Sequence, residues 1–162
     1  MSDYVRGLRE KIGHELLLGP AAAALVRAEG RILLVKSTEG KWMLPGGAVD
    51  PGETPADAAR REAWEEAGVV VEPLRIAGVF GGPEYRHTYP NGDELAYVTT
   101  VFEARLVDGV PRPDGEETED AGWFSVDELA ALPMSLSTQT TLRDLFAGVS
   151  FRPAQPPSEP TR

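Results

Sequence analysis

The chain has no cysteine, which excludes disulfides and thiolate metal sites, so any metal must be held by oxygen donors or by the two histidines. Oxygen donors favour magnesium, manganese or calcium. Basic residues are also scarce. The 16 Lys and Arg stand against 26 Asp and Glu, for a formal net charge of -10. That balance argues against a protein that binds nucleic-acid phosphates through a clustered basic surface, so no DNA partner is expected. An anionic substrate would need help to approach. Long apolar runs are missing as well. The stretch from Leu16 to Val26 is broken by Gly19 and Pro20 and is too short to cross a bilayer. The segment before it carries Asp3, Glu10 and Glu15, unlike the basic head of a secretion signal. A cytoplasmic protein without a membrane partner is expected, and no internal repeat is visible.

With 162 residues and 41% apolar content, the chain suits one domain, expected over residues 1–151, large enough to bury roughly 70% of the surface its unfolded form exposes. Tyr4, Val5, Leu8 and Ile12 share one helical stripe, which predicts a short amphipathic helix over residues 3–12, docked on the domain or on a partner subunit and ended by Gly13. Residues 21–27 and 31–36 read as core strands joined as a hairpin through Ala28, Glu29 and Gly30. A turn-rich loop follows, with Pro45-Gly46-Gly47 and then Asp50-Pro51-Gly52-Glu53, whose central Pro-Gly suits a type II turn. Thr54 is placed to cap a helix that begins at Pro55, carries Asp57 in its first turn and stops at Gly68. Residues 69–80 and 94–106 read as strands, connected through the turn Pro90-Asn91-Gly92-Asp93. Trp123 and Phe124 mark a last strand, Ser125 to Glu128 is a capping box, and residues 138–147 give a helix with Leu142, Leu145 and Phe146 inward. From Arg152 onward, Pro153, Pro156, Pro157 and Pro160 without an apolar pattern predict a disordered tail, residues 152–162.

The central helix carries the chemistry. Glu62, Glu65 and Glu66 stand at i, i+3 and i+4, on one arc of about 100°. Arg61 lies four residues before Glu65 and is placed to brace it, while Ala56, Ala59, Ala63 and Ala67 form a small-residue face that lets the helix approach a sheet. An ordinary solvated face is the bland alternative. Against it, like charges four apart cost a few tenths of a kcal/mol, and anions in the last turn oppose the helix dipole by about 0.3 to 1 kcal/mol each. A divalent cation would turn that destabilising cluster into a site. Glu53, just before the helix, can join it, and Gly46 and Gly47 permit close approach of backbone to phosphate oxygens.

From Gly47 to Val69 the sequence reads GAVDPGETPADAARREAWEEAGV. It resembles the signature of the Nudix hydrolases, G-x5-E-x7-R-E-U-x-E-E-x-G-U, in which U is a bulky aliphatic residue. Ala63, at the first U, is the one departure. The resemblance implies an α/β/α sandwich around a mixed sheet and hydrolysis of a nucleoside diphosphate linked to another group. It also implies Mg2+ or Mn2+ ligands at Glu62, Glu65 and Glu66, with Glu53 as a direct or water-mediated ligand and Arg61 as an orienting residue. Water attack on a phosphorus is the implied reaction, and dimers are common in the family. A non-catalytic nucleotide sensor and an enzyme acting on RNA 5′ ends are the rival readings.

Glu65 is the first choice of general base. The acidic loop Asp114, Glu116, Glu117, Glu119 and Asp120 offers Glu116 or Glu117 as a further ligand or base, with a solvated loop as the alternative. For substrate binding, Tyr85 or Tyr89 is placed to stack on a base and Arg86 to pair with a phosphate, although local packing is the commoner role of such residues. Trp42 is read as core. The substrate stays open among ADP-ribose, other nucleotide sugars, dinucleoside polyphosphates and nucleoside triphosphates.

Overall fold

A computed structural model of the chain describes residues 3–89 and 91–153. The long strand β1 (Leu17–Ala28) turns back into β2 (Arg31–Ser37) and, through the short β3 (Trp42–Met43), reaches β4 (Gly46–Ala48). Helix α2 (Pro55–Ala67) follows, then β5 (Val70–Phe80), β6 (Arg86–Thr88), β7 (Glu94–Asp108) and β8 (Thr118–Ser125). Two helices, α3 (Val126–Leu129) and α4 (Leu136–Phe146), end the described domain, and α1 (Asp3–Ile12) precedes it. The sheet runs β3-β2-β1-β7-β5, with β4 paired to β1, β6 to β7 and β8 to β2. β1 and β7 are parallel and the other pairs antiparallel, which makes the sheet mixed.

Alternation along β1 builds a core on each face. Ala22, Ala24 and Val26 join Leu33, Val35 and the α2 alanines on one side. Ala23 and Leu25 join Ile32, Leu34, Leu129 and Leu142 on the other, beneath α3 and α4. The result is the α/β/α sandwich expected from the sequence. Ala58, Ala59, Ala63 and Ala67 are all fully buried, so α2 lies close against the sheet. Trp42 is core, as read, with its ring 4.6 Å from Phe124 in an edge-on arrangement.

Several expectations are corrected. β1 starts at Leu17 rather than Ala21, because parallel pairing with β7 extends it back through Gly19 and Pro20. In α1 Val5 is buried, but Tyr4 is 53% exposed, and the buried polar residue on the docked side is Arg9. Phe146 is exposed under the guanidinium of Arg27 instead of facing inward. Arg152, where the tail was expected to begin, pairs with Glu84 at 2.9 Å and Asp144 at 3.2 Å. The rest of that segment beyond Pro153, and Pro90 of the expected turn, lie outside the described residues.

Candidate functional site

Thr54 caps α2 through a reciprocal box with Asp57, Pro55 occupies the first turn, and Gly68 ends the helix at φ 66°. Just before the helix, the Glu53 amide donates to the Asp50 carbonyl at 3.0 Å across a turn whose Gly52 has φ 93°. That turn folds Glu53 back towards Arg61. The Arg61 guanidinium then gathers the acids: Nε and Nη2 hold Glu53 at 2.7 and 3.0 Å, Nη1 holds Glu62 at 2.7 Å and Glu65 at 3.0 Å, and Nη2 reaches the Ala48 carbonyl at 3.0 Å. Arg61 therefore braces three acids where the sequence suggested one. Among the described residues no group of three or more His, Asp or Glu side chains is placed to hold a metal ion in this arrangement.

The arc of carboxylates is divided. Glu62 and Glu66 are buried, whereas the Glu65 side chain is half exposed. Burial pushes the Glu66 carboxyl up to about 8, with Glu62 adding to it and the Gly46 amide opposing. Burial also raises Glu62, against the pull of Arg61. Glu53 lies below its ordinary value, chiefly through the hydrogen bond from Arg61.

The two glycines serve the acids. Gly46 donates its amide to Glu66 Oε2 at 2.9 Å, and a Cβ there would strike the Ala22 carbonyl oxygen at 2.5 Å. A Cβ on Gly47 would lie 2.4 Å from Glu62 Oε1. The close approach expected for phosphate oxygens is thus made by the protein's own backbone and by Glu62. Two buried carboxylates in a cradle that excludes a methyl group offer oxygen donors of the kind that a hard divalent cation takes.

The acidic loop closes over the C-terminal end of α2. The Asp114 carboxylate accepts from the amides of Glu116 at 3.0 Å, Glu117 at 3.1 Å and Thr118 at 2.8 Å, and the Thr118 hydroxyl donates to the Glu66 carbonyl at 2.9 Å. Burial opposes ionisation of Asp114, but these donors outweigh it and hold the group below its ordinary value. Glu117 is near enough for its charge to act on both Glu62 and Glu66. Glu119 is drawn away into an ion pair with Lys36 at 2.7 Å.

The expected recognition loop splits. Tyr85 is buried in the α4-side core with its hydroxyl 2.7 Å from Thr141, so it is not a stacking face. Arg86 is engaged by Glu94 on the neighbouring strand. Tyr89 is half-buried with its ring 6.5 Å from that of His87, and burial pushes the Tyr89 and Tyr97 hydroxyls up. The sequence reading did not single out Tyr97, whose ring lies 6.4 Å from that of His87. It missed Trp64 and Arg112 as well. They line a hollow of about 390 Å³ with Glu65, Gly68, Pro113 and Asp114. Trp64 was legible as an apolar residue on the polar side of α2.

Comparison with known proteins agrees with this geometry. The NUDIX domain model matches residues 17–145. The chain belongs to the Nudix family. It is 38% identical over 123 residues to the NAD-capped RNA hydrolase NudC of Chromobacterium violaceum, covering 74% of this chain and 43% of that protein. It is 34% identical over 110 residues to a MutT-like protein of Streptomyces ambofaciens, covering 67% of this chain and 64% of that protein. The chain thus spans about half the length of NudC relatives of this kind. Among solved structures, an ADP-ribose pyrophosphatase from Streptococcus suis superposes with a TM-score of 0.61 at 28% identity, over 82% of this chain and 96% of that one. A NUDIX hydrolase from Nitrosomonas europaea gives a TM-score of 0.66 at 26% identity, over 83% and 93%.

Proposed function

We propose that this chain hydrolyses the diphosphate linkage of a nucleoside diphosphate derivative, with Mg2+ or Mn2+ held by Glu62 and Glu66 and completed by Glu53 and Glu65. The observation that carries the reading is the buried pair Glu62 and Glu66, pressed against Gly47 and Gly46. Two like charges without water are costly to keep, and their oxygens suit a hard cation. A bound divalent ion would neutralise the diphosphate and make water a better nucleophile. Arg61 fixes the spacing of the acids through Glu53 and the Ala48 carbonyl. A proton leaving the attacking water has two carboxylates at the rim to go to, Glu65 on α2 and Glu117 on the acidic loop, and the E65Q and E117Q variants separate them.

The names of two relatives point to one substrate chemistry, since NAD and ADP-ribose both contain an ADP moiety. We take adenosine diphosphate derivatives as the first class to test, with a capped RNA 5′ end as a larger member of it. The test is hydrolysis of ADP-ribose, NAD, dinucleoside polyphosphates and nucleoside triphosphates in Mg2+ or Mn2+, reading nucleoside monophosphate and phosphate products. Turnover of at least one member, abolished by chelator and by E66Q, is expected. Metal binding without hydrolysis of any member would overturn the hydrolase in favour of a nucleotide sensor.

A further inference from the structure

Strand β8 pairs with β2 in regular register from Arg31 and Ser125 as far as Lys36 and Asp120; there the register breaks, and Ser37 pairs with Thr118, leaving Glu119 as a bulge. Side chains alternate along a strand. Trp123 and Ala121 pack on the α2 side of the sheet, so an unbroken β8 would turn Glu119 to that side and Thr118 to the other. The bulge exchanges them. Glu119 pairs with Lys36 at 2.7 Å, and Thr118 faces α2, where it is 1% exposed.

Thr118 there meets the helix end that needs donors, because the last carbonyls of a helix have no partner within it. The Ala67 carbonyl accepts from the Arg112 amide at 2.9 Å and the Glu66 carbonyl from the Thr118 hydroxyl at 2.9 Å, so loop 112–118 is docked on the last turn of α2 at both ends. Between those ends Asp114 ties the loop. Its carboxylate accepts the amides of Glu116, Glu117 and Thr118, and its own amide donates to the Thr118 hydroxyl at 3.2 Å. The Thr38 amide adds a bond to the Glu117 carbonyl at 3.3 Å. Glu117 thus stands between the Asp114 clasp and the hydroxyl bonded to Glu66, and its charge acts on Glu62 and Glu66 alike.

We propose that Thr118 and Asp114 are positioning residues that hold Glu117 at the Glu62 and Glu66 pair. The hydroxyl fixes the loop to the turn of α2 that carries Glu66, and the Asp114 carboxylate fixes the Glu117 backbone, so the loop acid and the helix acids are held as one unit. The inference rests on the hydrolase reading above and adds what sets the place of this rim carboxylate.

The test is a double-mutant cycle on the full chain. Thr118→Val keeps the side-chain shape and removes the hydroxyl, whereas Thr118→Ser keeps the hydroxyl. Thr118→Val should lower kcat about tenfold with a smaller change in KM, as misplacing a reacting group does, and Thr118→Ser should recover most of the loss. Asp114→Ala, at an exposed position, should lower kcat in the same way and serves if Thr118→Val does not fold. In the Glu117→Gln background neither change should add a further loss, because both act through Glu117. Mn2+ binding without substrate gives the same cycle independently of turnover. Glu117→Gln and Thr118→Val should each weaken it about threefold, and the double variant no more than Glu117→Gln alone. Additive losses in either cycle, or kcat and Mn2+ binding untouched by Thr118→Val and Asp114→Ala, overturn the positioning role. A non-additive loss of Mn2+ affinity in a chain that hydrolyses no diphosphate sinks the hydrolase reading and leaves the positioning role standing, and turnover with additive losses does the reverse.

Discussion

Glu66 accepts the Gly46 amide at 2.9 Å, so the last turn of α2 is pinned to β4 by one of the acids assigned to the metal. A glutamine in its place keeps an oxygen for that amide and loses the charge. E66Q should therefore fold normally and lose turnover by about a hundredfold or more, roughly 3 kcal/mol of transition-state stabilisation. Thermal unfolding and kcat measured on the same preparation check it. Unchanged kcat in saturating Mg2+ would remove Glu66 from the site.

The two glycines of the cradle should fail differently. A methyl on Gly46 meets backbone atoms of Ala22 and Ala23, at 2.5 and 2.7 Å, which cannot yield without moving β1. A methyl on Gly47 meets the Glu62 carboxylate, which can swing aside. Gly46→Ala should cost about 1–3 kcal/mol or more of stability, as overpacking does. Gly47→Ala should keep most of the stability and lose activity. Urea unfolding set beside kcat/KM distinguishes the two, and equal stability losses would contradict the assignment.

Ala63 is fully buried between α2 and the sheet, among Ala22, Ala24 and the other α2 alanines. The small residue at a signature position usually bulky is thus a packing feature. Ala63→Leu should destabilise by about 1–3 kcal/mol through overpacking. A rise in Tm would mean that the interface holds unfilled space.

Acid should loosen α1 early. Asp93 lies below its ordinary value of 3.8, chiefly through His14, against burial, with help from Asn91 and Arg9. Between the lowered folded-state value and 3.8, the unfolded chain holds the proton and the folded chain does not. The stability Asp93 contributes is therefore fully present above that window and is lost as pH falls through the folded-state value. Hydrogen exchange of α1 amides should accelerate relative to β1 on acidification, and Asp93→Asn should make the α1 amides exchange fast already at neutral pH. Exchange in α1 that ignores both would show that Asp93 does not hold the helix.

Local chemistry was readable directly from the chain. The span of α2, its Thr54 cap and its Gly68 stop depend on residues within a turn of one another, and the spacing of Glu62, Glu65 and Glu66 follows from helical geometry alone. The Gly47 to Val69 signature added the family, which the match over residues 17–145 bears out. Tertiary structure decided what spacing cannot express. Glu62 and Glu66 are buried and Glu65 is not, because the side of α2 that meets β4 depends on how the helix is rolled against the sheet. Tyr85 and Tyr89 lie four residues apart in one loop, yet a short 3-10 turn over Pro83–Tyr85 sends the first into the core beneath α4 and leaves the second beside Tyr97. Arg9 reads as one charge on a helix, and only the fold brings it to carbonyls from Gly13 to Glu94. Backbone preference acts between neighbours in sequence, while burial and partnership are set by segments far apart in the chain.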